Sequence, residues 1–175
     1  MAQNKLHVVP YDPKWEVNYK REAAHVAHIL EPLLTAIHHI GSTSIEGMAA
    51  KPTIDILAEV HDLSGVDAYT GKLSQAGYEA LGEYGIRRRR YFEKKDASGD
   101  HLVHLHVFEA ESEDVVRHLA FRDYLRTHDD DAASYSQIKI KLAEQFSDDR
   151  ESYWLGKKEM CRYIEQRALQ WWYDA

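Results

Sequence analysis

Asp55, His104 and His106 are the residues whose types and spacing point to metal chemistry. Asp55 lies in Thr53-Ile54-Asp55-Ile56-Leu57-Ala58-Glu59-Val60. In that run Ile54, Ile56, Ala58 and Val60 share one face of a strand, and Thr53, Asp55, Leu57 and Glu59 share the other. His104 and His106 alternate with Val103, Leu105 and Val107 in a second such run. If the two strands are neighbours, one carboxylate and two imidazoles converge. That donor set suits Zn, Mn or Fe better than Mg, which prefers an all-oxygen shell. The other reading, histidines hydrogen-bonding across a polar sheet face, stays open.

The second group carries phosphate chemistry. Gly41-Ser42-Thr43-Ser44 is a polar turn that follows an apolar run. Glycine lets backbone N–H groups approach a phosphate, and serine and threonine hydroxyls add donors. Lys51 supplies a point charge nearby in the chain, and Arg87-Arg88-Arg89-Arg90 is a dense basic run in an acidic protein. In a strand, Arg87 and Arg89 share a face, so they are the pair expected to grip phosphate with guanidinium forks. A solvated strand balanced by Glu83 and Glu93 is the competing reading. Ser42, His39 and Asp55 do not make a hydrolase triad, because no Gly-x-Ser-x-Gly elbow is present.

The elements that must position these residues follow from periodicity. Asp12-Pro13 opens a helix whose apolar face is Trp15, Tyr19, Ala23, Val26 and Leu30, and Pro32 ends it. Strands are expected over 36–40, 53–60, 78–81, 87–93 and 102–108, with a helix from Leu63 to Ala76 closed by Gly77. The remainder reads as helices, the last opened by Asp148 with Glu151 in capping-box register. Arg117, His118, Arg122 and Asp123 on one of them read as ion pairs tying that helix to the sheet. Trp154, Trp171 and Trp172 read as core cover or a subunit contact, which leaves a homodimer open. The whole is an α/β sandwich with a small mixed sheet flanked by helices and a helical C-terminal region, expected as one domain over 1–175.

Composition narrows the partners. The 175 residues carry a net charge of −7, which argues against general nucleic-acid binding but leaves room for a local anion pocket. One cysteine, Cys161, excludes an intramolecular disulfide and fits a reducing compartment. No apolar run approaches the ~20 residues of a membrane span, and Met1-Ala2-Gln3-Asn4-Lys5 lacks an apolar leader. A cytoplasmic protein without membrane partners is the expectation.

Over essentially its whole length the chain resembles the GrpB family, a group with the nucleotidyltransferase fold. The resemblance rests on Pro10-Tyr11-Asp12-Pro13-Lys14-Trp15, on His39-Ile40-Gly41-Ser42-Thr43-Ser44, and on Gly47-Met48-Ala49-Ala50-Lys51-Pro52-Thr53-Ile54-Asp55-Ile56-Leu57. It continues through Arg88-Arg89-Arg90-Tyr91-Phe92, His104-Leu105-His106-Val107 and Arg117 to Leu125. It implies binding of a nucleotide or other phosphate-bearing small molecule, with Gly41, Ser42, Thr43, Ser44, Lys51, Arg87 and Arg89 on the phosphates. Asp55 would hold a divalent metal (Mg, Mn or Zn) for nucleotidyl transfer by in-line displacement. Two alternatives stand beside that. One is a non-catalytic accessory module linked to coenzyme A metabolism or protein folding; the other is a metal-dependent hydrolase built on His104 and His106. One departure weakens the transferase reading: active members of the superfamily carry two acids at alternate strand positions, and here Thr53 and Leu57 flank Asp55. Glu59, ~13 Å along the strand, is too far to complete the pair.

Overall fold

Pro13 cannot donate a backbone hydrogen bond, and the first helix begins immediately after it. A computed structural model, which describes residues 5–175, places α1 at Lys14–Leu30. Met1 to Asn4, read above as part of a start without an apolar leader, lie outside the described residues. α1 stops two residues before Pro32, whose ring pushes the preceding residue out of the helical region. Among the described residues, no helix is long and apolar enough to cross a membrane.

The chain divides into two compact units. The sheet unit comprises Lys14–Ile40 and Thr53–Val116. It contains β1 (Leu34–Ile40), β2 (Ile54–Val60), α2 (Thr70–Gln75), β3 (Tyr78–Ala80), β4 (Arg89–Lys95) and β5 (His101–Glu109). The strand order is β1-β2-β5-β4-β3, with β2 and β5 parallel and every other pair antiparallel. The expected α/β class with a small mixed sheet is the observed one.

Alternation along the strands separates two faces. Ile54, Ile56, Ala58, Val103, Leu105 and Val107 are all at most 3% exposed. α1 packs on this side: Glu22 accepts from the Tyr78 hydroxyl at 2.8 Å and from Lys94 Nζ at 2.8 Å, and Tyr19 stacks on His39 at 4.5 Å. Asp55, Glu59, His104, His106 and Glu93 alternate onto the other face.

Three differences from the expectation have a visible local cause. The helix read over 63–76 is a 3-10 segment, Ser64–Tyr69, followed by α2. Asp62 Oδ1 accepts from Ser64 Oγ at 2.7 Å and Gly65 N at 3.0 Å, which tightens the first turn. The strand expected from Arg87 starts at Arg89, because Arg88 adopts a left-handed conformation with φ 63°. The last helix, α5 (Arg150–Asp174), is capped by Asp149 rather than Asp148: Asp149 Oδ1 accepts from Ser152 N at 3.0 Å.

The helical unit comprises residues 5–13 with Gly41–Pro52 and Arg117–Ala175. It holds most of α3 (Glu113–Thr127), then α4 (Asp129–Gln145) and α5. Met48, Ala120, Tyr124, Leu125, Ile164 and Ala168 make its core, with Trp171 and Trp172 packed against them. Gly156 allows a close approach of α5 to α4: a Cβ there would sit 2.5 Å from Leu142 Cδ2.

Candidate functional site

β2 and β5 are neighbours in the register that places Asp55 beside His104 and Leu57 beside His106. β4, on the other side of β5, sets Glu93 beside His104 and Tyr91 beside His106. The three residues singled out for metal chemistry therefore converge. His104 Nδ1 lies 3.4 Å and His106 Nε2 3.3 Å from the same Asp55 oxygen, Oδ1. His106 Nδ1 accepts from Arg89 at 3.2 Å. Arginine has donors only, so His106 keeps its proton on Nε2 and donates it to Asp55.

Burial opposes the charge on Asp55, but hydrogen bonds and charge from His104 and His106 outweigh it and hold the carboxyl below the usual range. Burial pushes the His106 imidazole below its usual value; Asp55 opposes that shift and Arg89 adds to it. The cluster extends to residues that sequence reading did not select. Burial opposes the charge on Glu93, which is 6% exposed, yet Lys95 Nζ at 3.1 Å and the His101 ring bring its carboxyl below the usual range. Tyr91 donates to Glu93 Oε1 at 3.2 Å. His101 Nδ1 is 2.8 Å from His104 Nε2 and 3.8 Å from Glu93 Oε2. Glu59 has its own partner, His38 Nε2 at 2.6 Å.

The arginine run divides differently from a continuous strand. Arg89 is buried: Nε donates to Glu83 O at 3.1 Å, a terminal nitrogen to Tyr84 O at 2.8 Å, and the guanidinium stacks 4.5 Å from the Tyr91 ring. Arg87 sits in the exposed loop before β4, so the expected Arg87–Arg89 pair does not share a strand face. Arg90 pairs with Asp67 at 2.7 Å.

The serine turn belongs to the helical unit. Gly41 adopts φ 72°, which favours glycine, and Ser42–Ser44 form one 3-10 turn. Ser44 N donates to Gly41 O and Ile45 N to Ser42 O, so two of the loop's N–H groups close the turn on itself. Arg126 donates twice to Ser44 O, at 2.8 and 3.1 Å. Thr43 is buried, whereas Lys51 is exposed, 5.5 Å from the Tyr153 ring.

The residue that defines this group is Lys139 of α4, which sequence reading passed over. It is 2% exposed, and Nζ donates to Ser42 Oγ at 2.8 Å and Ala49 O at 2.6 Å, 4.3 Å from the Tyr135 ring centre. Burial, with the charges of Lys157 and Lys51, pushes its pKa down to about 7, against the opposing influence of Cys161. A signal was present: Lys139 lies four residues after Tyr135, on the helix face that Leu142 and Phe146 continue. Elsewhere in the unit, Arg117 pairs with Glu165 of α5 at 3.6 Å, and a groove of about 380 Å³ is lined by Tyr124, His128, Arg167 and Trp171.

The family comparisons agree with these motifs. Residues 5–167 match the model of the GrpB protein family. UPF0157 protein YqkA of Bacillus subtilis is 39% identical over 97% of this chain, although the match spans only 49% of YqkA's own length. The glutamate-rich protein GrpB of Alkalihalophilus pseudofirmus is 31% identical over 93% of this chain and 95% of its own. The crystal structure of conserved protein GrpB from Enterococcus faecalis superposes with a TM-score of 0.91 at 34% identity, covering 95% of this chain and 99% of that one. From its serine turn to its His-x-His strand, this chain belongs to the GrpB family.

Proposed function

We propose that this protein binds a phosphate-bearing small molecule of the nucleotide class, using the serine turn of the helical unit. One observation carries the reading: the buried Lys139 nitrogen is held on the Ser42 hydroxyl, with Lys51 and Lys157 as its cationic neighbours. A buried ammonium among like charges is unfavourable by several kcal/mol, and a phosphate brought to it offsets that cost. Lys139 donates into the Ser42 oxygen, and the Ser42 hydroxyl in turn bonds to Tyr135, so the lysine and the serine turn are held together as one polar group.

The nucleotidyltransferase fold implied by the resemblance supports the same ligand class, but its two-metal Mg chemistry does not fit the residues present. Thr53 and Leu57 stand where a second acid is needed, and the groups around Asp55 are imidazoles rather than oxygen donors. Binding is therefore the core of the reading, and transfer is an extension of it.

Thermal unfolding with ATP, pyrophosphate and inorganic phosphate tests it. Ligand at a hundred times Kd should stabilise the fold by about 2.7 kcal/mol, raising Tm by roughly 5–10 °C. Lys139→Met should abolish the shift and Ser42→Ala should reduce it. No shift with any of the three would refute the reading. Pyrophosphate release from nucleoside triphosphates with Mn, lost in Asp55→Ala, would extend it to transfer; stabilisation without turnover marks an accessory binding module.

A further inference from the structure

We infer that Glu93, His101 and His104 form a binding site for a single zinc-class transition-metal ion, with Asp55 acting as the residue that positions His104. The inference concerns the sheet unit and does not depend on the phosphate reading.

The backbone supplies the first reason. His101 and His104 are three residues apart, and regular alternation would send them to opposite faces of β5. The register between β4 and β5 breaks at this point: Lys94 is level with Val103 and Lys95 with His101, so Leu102 has no opposite number. This extra residue is a β-bulge, and it turns His101 onto the face that carries His104 and Glu93. Bulges are enriched where a side chain is re-aimed toward a site.

The spacing of donor atoms supplies the second. One nitrogen from each histidine and one Glu93 oxygen all lie within 4.8 Å of one another. Tetrahedral zinc with bonds of 2.0–2.1 Å needs ligand atoms about 3.3 Å apart. Two of the separations, 2.8 Å between the imidazole nitrogens and 3.8 Å from His101 to Glu93, bracket that value. Side-chain movements of up to about 1 Å would bring all three donors to that spacing. The donors are two imidazoles and a carboxylate, the set that leaves a fourth position for water or a substrate oxygen.

The surrounding contacts supply the third. Metal-bound histidines commonly hand their other ring N–H to a carboxylate. His104 meets that pattern, with Nε2 toward His101 and Nδ1 3.4 Å from Asp55. Glu93 is steadied on its other oxygen by the Tyr91 hydroxyl. His106 has both ring nitrogens engaged, one by Arg89 and one by Asp55, which places it in the supporting layer. Lys95 now neutralises Glu93 at 3.1 Å; its side chain is 38% exposed and free to swing toward solvent as the ion enters.

The test is a Zn²⁺ titration of the chelator-stripped full chain against a chromophoric competitor, with Co²⁺ absorption reporting coordination geometry. One equivalent should bind, with the intense visible bands of tetrahedral Co²⁺. His101→Ala and Glu93→Gln should each weaken binding at least ~100-fold, and Asp55→Asn about 10–100-fold with stoichiometry retained. Lys95→Met should tighten it, a gain that mere misfolding cannot produce. Circular dichroism of every variant confirms the fold. Failure of the wild type to bind tighter than about 100 μM would overturn the site. So would a variant pattern in which His106→Ala abolishes binding while His101→Ala leaves it intact, since the ion would then sit at Asp55 and His106.

Discussion

The two faces of the sheet are built from the same strands and differ in almost every physical respect. Toward α1, Ile56, Ala58, Leu105 and Val107 are completely buried, and their only task is to exclude water. On the opposite face, Arg89, His106, Asp55, His104, His101 and Glu93 form a continuous chain of polar contacts. Ionic groups in such positions are seldom more stable than apolar residues of the same size. The polar face therefore adds little stability of its own, while the aliphatic face supplies most of it.

Breaking the aliphatic face should have the largest effect on folding. Leu105→Ala removes a completely buried side chain and should destabilise the protein by about 3 kcal/mol in urea unfolding, while Zn²⁺ affinity stays unchanged. Arg89→Ala comes next, at about 2 kcal/mol, because it releases two loop carbonyls and the His106 nitrogen. Its neighbour Arg90 makes a surface pair with Asp67, so Arg90→Ala should cost about 0.5 kcal/mol or less. Equal effects for these two arginines would erase the distinction between the buried and solvated faces of β4.

Two pH dependences of different origin should be visible between those extremes. The Asp55 carboxyl is lowered in the folded chain, so its contribution is present above the ordinary carboxylate range and is lost as pH falls below about 4. The stability advantage of wild type over Asp55→Asn should shrink on acidification. Lys139 acts as a penalty instead. With a folded pKa of about 7 against 10.5 for an ordinary lysine, the unfolded chain binds more protons between those values. Its penalty is full below pH 7 and fades toward pH 10.5. Any gain in stability on Lys139→Met should accordingly narrow as pH rises, and a flat difference would show that the amine titrates normally.

Periodicity is a local property, and what depended on it was legible. Alternation in 53–60 and 102–108 gave β2 and β5 and put Asp55, His104 and His106 on the faces where the structure has them. Departures came where one residue breaks the local rule. Arg88 at positive φ delays β4 and separates Arg87 from Arg89. Leu102, bulged out of register, brings in a histidine that strict alternation would have excluded.

The GrpB motifs, the mixed α/β class and the aliphatic–polar alternation were set by the sequence alone, because side-chain direction repeats with the backbone itself. Tertiary structure decided which polar groups meet. Glu93 joins His104 only because β4 lies against β5, and Lys139 reaches Ser42 across 97 positions of chain only because α4 packs beside the serine turn. Contacts of that kind depend on how distant segments bury one another's apolar surface, a balance taken over the whole core that no short stretch of residues encodes.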